Sequence, residues 1–172
     1  MKKSDLTKGE IGEFYWRYIN RIEDEADLIE TLKDNTQEFV DFLKSIPEDK
    51  WTYRYASEKW SILEMIQHII DTERIFQYRA LCFARNEAKP LPGFDHDIYV
   101  LNSDAEMRKP ENLIEEFKCV RESALFLFKS FSEEKLELKG NMNDMNATPR
   151  ALGFIMAGHV LHHIEVISNK YL

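Results

Sequence analysis

Apolar residues recur every three or four positions along most of the chain, which is the spacing of one face of an α-helix. Four long segments show this pattern: residues 28–45, 62–85, 110–131 and 149–169. Pro47 ends the first, a capping box from Ser61 to Glu64 begins the second, and Pro110 and Pro149 begin the third and fourth. In no segment do apolar and polar residues alternate for long enough to predict a β-strand. The pattern predicts an all-α protein, an antiparallel four-helix bundle.

The other residues connect these helices. Residues 1–26 predict an N-terminal arm or short helix, and residues 132–138 predict an extra turn. Residues 86–109, which contain Pro90, Pro92 and Gly93, predict a long loop, and loops of this length are often functional. Residues 140–147 predict a polar loop. The length of 172 residues predicts one domain over residues 1–172.

Composition and charge narrow the class of protein. The net charge is -8, with 23 Lys and Arg against 31 Asp and Glu and no basic patch, so no nucleic-acid partner is expected. No apolar stretch approaches the ~20 residues of a membrane span, and Met1–Leu6 has no apolar segment behind its lysines, so neither a membrane partner nor a signal peptide is expected. Cys82 and Cys119 lie in helical patterns and are expected to be reduced thiols of a cytoplasmic protein.

Three of the five histidines fall in one short run, Gly158-His159-Val160-Leu161-His162-His163. At roughly 100° per residue, His159 and His163 lie one turn apart on the apolar face, and His162 turns about 80° toward its edge. Two imidazoles at this spacing can bind one divalent metal. The alternative is a pair of hydrogen-bonded core histidines, but burial of two imidazoles without partners costs several kcal/mol.

A third metal ligand has two candidates. His68 lies two turns into the second helix, off the centre of its apolar face, so its position alone indicates a flank histidine. His96 lies in the loop sequence Asp95-His96-Asp97, which is rich in ligands but equally typical of a solvated turn. Three imidazoles with one open position are the catalytic form of a zinc site, and nickel also accepts imidazole.

A catalytic base is harder to place. Val160 and Leu161 occupy the interior of the histidine pair, so the His-Glu-x-x-His motif of zinc peptidases is absent. Glu73 lies in the middle of an apolar face and is the one candidate catalytic residue, as a buried acid near the metal with a raised pKa. Its alternative is a structural ion pair with an arginine such as Arg74, Arg79 or Arg121.

Three segments together resemble a known family. They are Lys59-Trp60-Ser61-Ile62-Leu63-Glu64-Met65-Ile66-Gln67-His68, Asp71-Thr72-Glu73-Arg74, and Ala157-Gly158-His159-Val160-Leu161-His162-His163. The chain from about residue 28 to its end resembles the DinB/YfiT-like superfamily of metalloenzymes, and residues 91–95 resemble the linker after its second helix. The resemblance implies a four-helix bundle, a homodimer, and one divalent metal bound by His68, His159 and His163.

The reaction is less determined than the fold. Proteins of this superfamily include thiol S-transferases, mycothiol-dependent isomerases, proteins induced by DNA damage and proteins called metal-dependent hydrolases. The resemblance favours a metal-dependent S-transferase that uses zinc or nickel and acts on a low-molecular-weight thiol and an electrophile. Residues 90–99 would then form a substrate wall, and Asp95, His96 and Asp97 are expected to leave the metal open. The alternatives are a metal-dependent hydrolase and a non-enzymatic, stress-induced metal-binding bundle.

Overall fold

Four long helices form the body of the protein, and the computed structural model describes all residues from 1 to 172. The elements in chain order are α1 (Trp16–Ile19), α2 (Leu28–Lys44), α3 (Ile62–Ala84), α4 (His96–Leu101), α5 (Pro110–Lys129), α6 (Glu133–Leu136), β1 (Gly140–Met142), β2 (Met145–Ala147) and α7 (Pro149–Lys170). Helices α2, α3, α5 and α7 pack together as the predicted bundle, and their ends differ from the predicted ends by at most two residues.

The starts of α3 and α7 are held by the residues that predicted them. The Glu64 amide donates to the Ser61 hydroxyl at 3.3 Å, and the Ser61 amide donates to the Glu64 carboxylate at 2.7 Å. Thr148 caps α7 by accepting a hydrogen bond from the amide of Ala151. These caps satisfy amides that have no partner within the helix. They fix where each helix begins, and therefore the turn on which each later histidine lies.

The core consists of two apolar clusters with a polar layer between them. In α3, residues 62–70 belong to one cluster and residues 76–84 to the other, with Thr72 and Glu73 between them. In α5 the corresponding boundary is at Arg121, and in α7 it is at His159. The buried polar side chains of three helices therefore meet at one level of the bundle.

Helix α7 is the central helix, and it corrects the expectation that no segment is long and apolar enough to span a membrane. Over an 18-residue window its mean hydropathy is 1.3, so length and composition alone would allow it to cross a membrane. A count of uninterrupted apolar residues does not detect this, because polar residues interrupt the run. Because 67% of that window is buried against α1, α2, α3 and the rest of the protein, the helix already has apolar partners inside the fold.

Two connections contain regular structure that was not predicted. The loop of residues 86–109 contains α4, which Asp95 caps by accepting from the amides of Asp97 and Ile98, and a 3-10 turn, Ala105–Met107. The polar loop of residues 140–147 is a hairpin in which β1 pairs antiparallel with β2. Its turn residues, Asn143 and Asp144, have φ of 49° and 59°, as a tight two-residue turn requires. Strands of three residues are too short to show an alternating pattern.

The hairpin contacts α3 and the N-terminal arm, and the arm in turn packs on α7. Leu91 exchanges backbone hydrogen bonds of 2.9 Å with the hairpin residues Asn141 and Asn143. The arm, residues 1–26, folds into short 3-10 turns and α1, and α1 packs on α7 at Gly158. A Cβ atom at Gly158 would overlap the backbone carbonyl of Tyr18, so only glycine permits this close approach.

Candidate metal centre

Three histidine side chains from two helices meet in the interior. The Nε2 atom of His159 lies 3.2 Å from Nε2 of His68 and 3.0 Å from Nε2 of His163. Three ligand atoms, one from each ring, all lie within 4.8 Å of one another, and all three residues are buried. Tetrahedral ligation at ~2.0–2.1 Å would place two nitrogens ~3.3 Å apart. This histidine cluster (His68, His159 and His163) could therefore hold a divalent metal ion.

The electrostatics of the histidine cluster suit a metal ligand set. Burial, with a smaller contribution from His96, lowers the pKa of His68 to about 3. Burial and the neighbouring imidazoles lower the pKa of His159 and of His163 well below the ordinary value. Neutral imidazole is the form that binds metals. A single cation would satisfy all three facing nitrogens, whereas without it Nε2 of His159 has only one proton or one lone pair for two neighbouring nitrogens.

His68 is more deeply buried than its position on the helix predicted. The apolar pattern of α3 predicts one buried face with His68 at its flank. In the structure α3 packs against α4, α5 and α7, so most of its circumference is covered. The expectation of a flank histidine was wrong because a helix with neighbours on several sides has no single buried face.

A pocket of about 410 Å³ opens beside the histidine cluster, whose three members lie among its lining residues. Six Phe, Tyr and Trp side chains also line it: Phe14, Tyr15, Tyr18, Trp60, Phe76 and Phe94. Arg17, Thr72, Arg79 and Asn143 add polar groups, but no Asp or Glu lines the pocket. The pocket thus combines a possible metal site with apolar walls and positive charge.

Aromatic rings hold two of the imidazoles in place. The ring of Trp60 lies 4.8 Å from that of His68, and the ring of Tyr18 lies edge-on to that of His159 at 5.3 Å. By contrast, Nδ1 of His163 is buried and has no hydrogen-bond partner. The orientation of these rings therefore depends on packing more than on the hydrogen-bonded outer shell that is usual at metal sites.

The segment Asp95-His96-Asp97 supplies no ligand that converges with the histidine cluster. Asp95 caps α4, and the side chain of Asp97 is exposed. His96 lines the pocket, with its ring 5.8 Å from that of His68 and a side chain that is 57% exposed. Gly93 and Phe94 also line the pocket, so residues 90–99 contribute to its wall.

The two remaining candidates have other partners. His162 is half-buried and lines the pocket, with its ring 5.2 Å from that of His163, but its Nδ1 lies 3.2 Å from the guanidinium of Arg21 and it is not one of the three converging histidines. Glu73 accepts two hydrogen bonds from Arg121, at 2.7 and 3.0 Å, and does not line the pocket. Burial raises the pKa of Glu73, and the Arg121 guanidinium offsets part of that rise. Glu73 thus forms the ion pair that sequence analysis gave as its alternative.

Some pocket residues were not identified from the sequence. Arg17 and Tyr18 belong to the N-terminal arm and reach the pocket only through long-range packing on α7, for which the sequence carries no signal. Sequence analysis gave Arg79 only as a possible partner of Glu73. It follows His68 by eleven residues, close to three helical turns, so it lies on the same face of α3. That spacing could have identified it.

Two comparisons with known proteins agree with this structure. The solved structure of YfiT from Bacillus subtilis, described as a probable metal-dependent hydrolase with an unusual four-helix bundle topology, matches with a TM-score of 0.71. The match covers 95% of this chain and 90% of that one, but the identity of 11% makes it a likeness of fold alone. No curated protein matches the sequence significantly. The family model of the DinB superfamily matches residues 31–167, so this chain belongs to the DinB superfamily.

Proposed function

We propose that this protein is a divalent-metal enzyme that acts as a low-molecular-weight-thiol S-transferase, with His68, His159 and His163 as the ligands of zinc or nickel. The observation that carries the proposal is a cluster of three neutral imidazoles in a pocket that has no carboxylate. A divalent cation held there would supply Lewis acidity and an uncancelled positive charge, which lower the pKa of a thiol, or of water, that it binds.

The absence of an acidic side chain favours a thiol over water as the nucleophile. Zinc hydrolases commonly use a carboxylate as general base, and no Asp or Glu lines this pocket. A thiol needs less help, because its ordinary pKa of about 8.5 is already near neutrality. In the proposed reaction the thiol sulfur forms a bond to an electrophilic carbon, the bond from that carbon to its leaving group breaks, and the thiol proton goes to solvent.

The chain's own residues would bind and orient the two substrates. Phe76, Phe94 and Trp60 give the pocket apolar walls that exclude water and suit the carbon skeleton of an electrophile. Tyr18 and Trp60 keep the rings of His159 and His68 directed at a common point. We further propose a cytoplasmic homodimer that acts on small molecules and binds neither nucleic acid nor membranes, as the charge and the family resemblance suggest.

A metal-dependent hydrolase is the second candidate, and the description of YfiT favours it. A non-enzymatic metal-binding bundle is the third. The access to the histidine cluster through the pocket supports an enzyme over the third candidate, because a purely structural site has no need of an opening.

The decisive experiment is metal analysis of the purified protein followed by a conjugation assay. Bacillithiol, glutathione and coenzyme A would each be mixed with monochlorobimane and the zinc- or nickel-loaded protein, with a panel of ester and amide substrates in parallel. We expect about one metal per chain and accelerated formation of one thioether. Hydrolysis without conjugation would favour the second candidate. Bound metal with neither activity, and no loss of metal to mild chelation, would favour the third.

A further inference from the structure

Arg79 differs from the other buried arginines in having no acidic partner. Arg121 is paired with Glu73 and Arg150 with Glu10, at nitrogen–oxygen distances of 2.6–3.0 Å. Arg79 is only 4% exposed, yet it forms no ion pair. The backbone carbonyl of Pro92, at 2.8 Å, is its one hydrogen-bond partner in the protein. A buried guanidinium without a counter-ion is unfavourable, so this arrangement needs an explanation.

The surroundings of Arg79 do not neutralise its charge. Its guanidinium carbon lies 5.8 Å from the ring centres of Phe76 and Phe94, which gives weak cation–π attraction. Burial lowers the pKa of Arg79, as expected for a cation removed from water, and nearby Tyr15 offsets part of that fall. Burial raises the pKa of Tyr15, so its phenol carries no charge near neutral pH. Arg79 lines the pocket, where no Asp or Glu is present. The chain therefore supplies no countercharge, but a ligand in the pocket would be in a position to do so.

A second polar group in the same pocket also lacks a partner. The hydroxyl of Thr72 is buried without a hydrogen bond, although Thr72 is a lining residue. Thr72 lies one turn after His68 on α3, and Arg79 lies roughly 20° around the helix and about 16 Å along its axis from His68. His68, Thr72 and Arg79 thus mark one stripe of the pocket, with the histidine at one end and the arginine at the other.

We propose that the pocket binds an elongated monocarboxylate, with its carboxylate on Arg79, its polar middle near Thr72 and its apolar stem against Phe76. Arg79 is the one buried guanidinium of the pocket, and its planar donors suit a carboxylate. Arg17, the other lining arginine, is exposed and lies over the rings of Phe14 and Tyr18. The position of the substrate's reacting group near the histidine cluster rests on the proposed function. The binding of the carboxylate by Arg79 does not, since it requires neither metal nor turnover.

The test is a comparison of ligands of matched shape. Isothermal titration calorimetry would measure 3-phenylpropionate, the neutral 3-phenylpropionamide, and phenyl phosphate against metal-free and zinc-loaded protein. We expect both forms of the protein to bind the carboxylate at least about tenfold more tightly than the amide, the size expected for charge-assisted hydrogen bonds. Equal affinities would overturn the proposal. A preference seen only with zinc would place the carboxylate on the metal instead, and tighter binding of phenyl phosphate would overturn the choice of carboxylate.

Variants test whether the preference for the carboxylate over the amide comes from Arg79. Arg79→Gln should abolish it, while the matched control Arg85→Gln, just past the end of the same helix and outside the pocket, should keep it. If Arg79→Gln does not fold, Arg79→Lys decides. Arg79→Lys should keep a reduced preference for the carboxylate. Unchanged carboxylate binding in Arg79→Gln, or no loss of preference in Arg79→Lys where Arg79→Gln does not fold, would contradict the assignment.

The outcomes separate this inference from the proposed function. Thiol conjugation without any carboxylate preference would refute the inference alone. Carboxylate binding that depends on Arg79, in a protein that conjugates no thiol, would support the inference and count against the S-transferase.

Discussion

The ring of Tyr18 stands edge-on to the imidazole of His159, with ring centres 5.3 Å apart and planes at 83°. Tyr18 comes from the N-terminal arm, whereas His159 is at the centre of the last helix. The arm therefore reaches the metal centre and forms part of the pocket beside it. This contact depends on Gly158, because the backbone of Tyr18 occupies the space that a side chain there would need.

Replacement of His159 by Ala should remove the metal and keep the fold. His159 supplies the nitrogen that lies within 3.2 Å of both other imidazoles, and two remaining ligands bind a divalent ion much more weakly. The apolar clusters on either side do not depend on this ring. Metal content measured by mass spectrometry should fall at least about tenfold, while circular dichroism stays helical.

His162→Ala is the matched control for that variant. It removes an imidazole from the same helix, but one whose Nδ1 lies beside Arg21 and which is not among the three converging histidines. It should retain about one metal per chain. Equal losses of metal from both variants would show that His159 is not a specific ligand.

Gly158→Ala should destabilise the protein by about 1–3 kcal/mol, the usual cost of overpacking. The new methyl group would overlap the carbonyl of Tyr18, which is backbone and cannot move aside without displacing the arm. Urea unfolding should show a lower midpoint with an unchanged slope. Gly9→Ala is the comparison, since no atom lies within 4 Å of the position that its Cβ would occupy, and it should change stability by less than about 0.5 kcal/mol. A stable Gly158→Ala protein would count against close packing of the arm on α7.

Loss of one partner of the Glu73–Arg121 pair should be severe. Both side chains are fully buried, and Arg121 also donates to the carbonyl of Leu32 and to the side chain of Asn35. Glu73→Leu would leave an unpaired guanidinium in the core and should cost about 3–5 kcal/mol in the free energy of unfolding. The double variant Glu73→Leu/Arg121→Met should recover most of that loss, since it removes both charges. If the double variant were no more stable than Glu73→Leu, the buried charge would not be the cause.

Low pH should weaken the attachment of the N-terminal arm to the start of α7, where Glu10 accepts hydrogen bonds from Thr148 and Arg150. Burial alone would raise the pKa of Glu10, but hydrogen bonds from Arg150, the Thr7 amide and Thr148 together lower it below its ordinary value of 4.5. The unfolded chain then binds the proton more readily, so this stabilisation is present above pH 4.5 and is lost as the pH falls through the lower folded value. Protonation should cost about 1.5–3 kcal/mol, the range for hydrogen bonds to charged groups.

Glu10→Gln tests that dependence. The difference in unfolding free energy between wild type and Glu10→Gln, measured in urea, should be largest at about pH 7 and should shrink as the pH falls below 4.5 through the lower pKa of folded Glu10. Glu13→Gln, at an exposed position without an ion pair, should differ little from wild type at either pH. A difference for Glu10→Gln that is constant across this range would refute the titration.

Local sequence signals predicted the long helices well because each signal acts within a few residues. The Ser61–Glu64 capping box and the prolines at 110 and 149 set the helix starts, and those starts are as expected. The hairpin around Asn143 and the helix α4 were missed, because elements of three to six residues show too little of any periodic pattern.

By itself the sequence determined that His159 and His163 lie one turn apart on an apolar helix, since the spacing of four residues is a property of the helix alone. Only the tertiary structure decided that the ring of His68 reaches them, that Glu73 pairs with Arg121, and that Arg79 is buried without a carboxylate. These relationships join residues 48 to 91 positions apart, or depend on what surrounds a side chain on every side. A helical periodicity records which side of a helix is apolar, but it does not record which other element will cover that side.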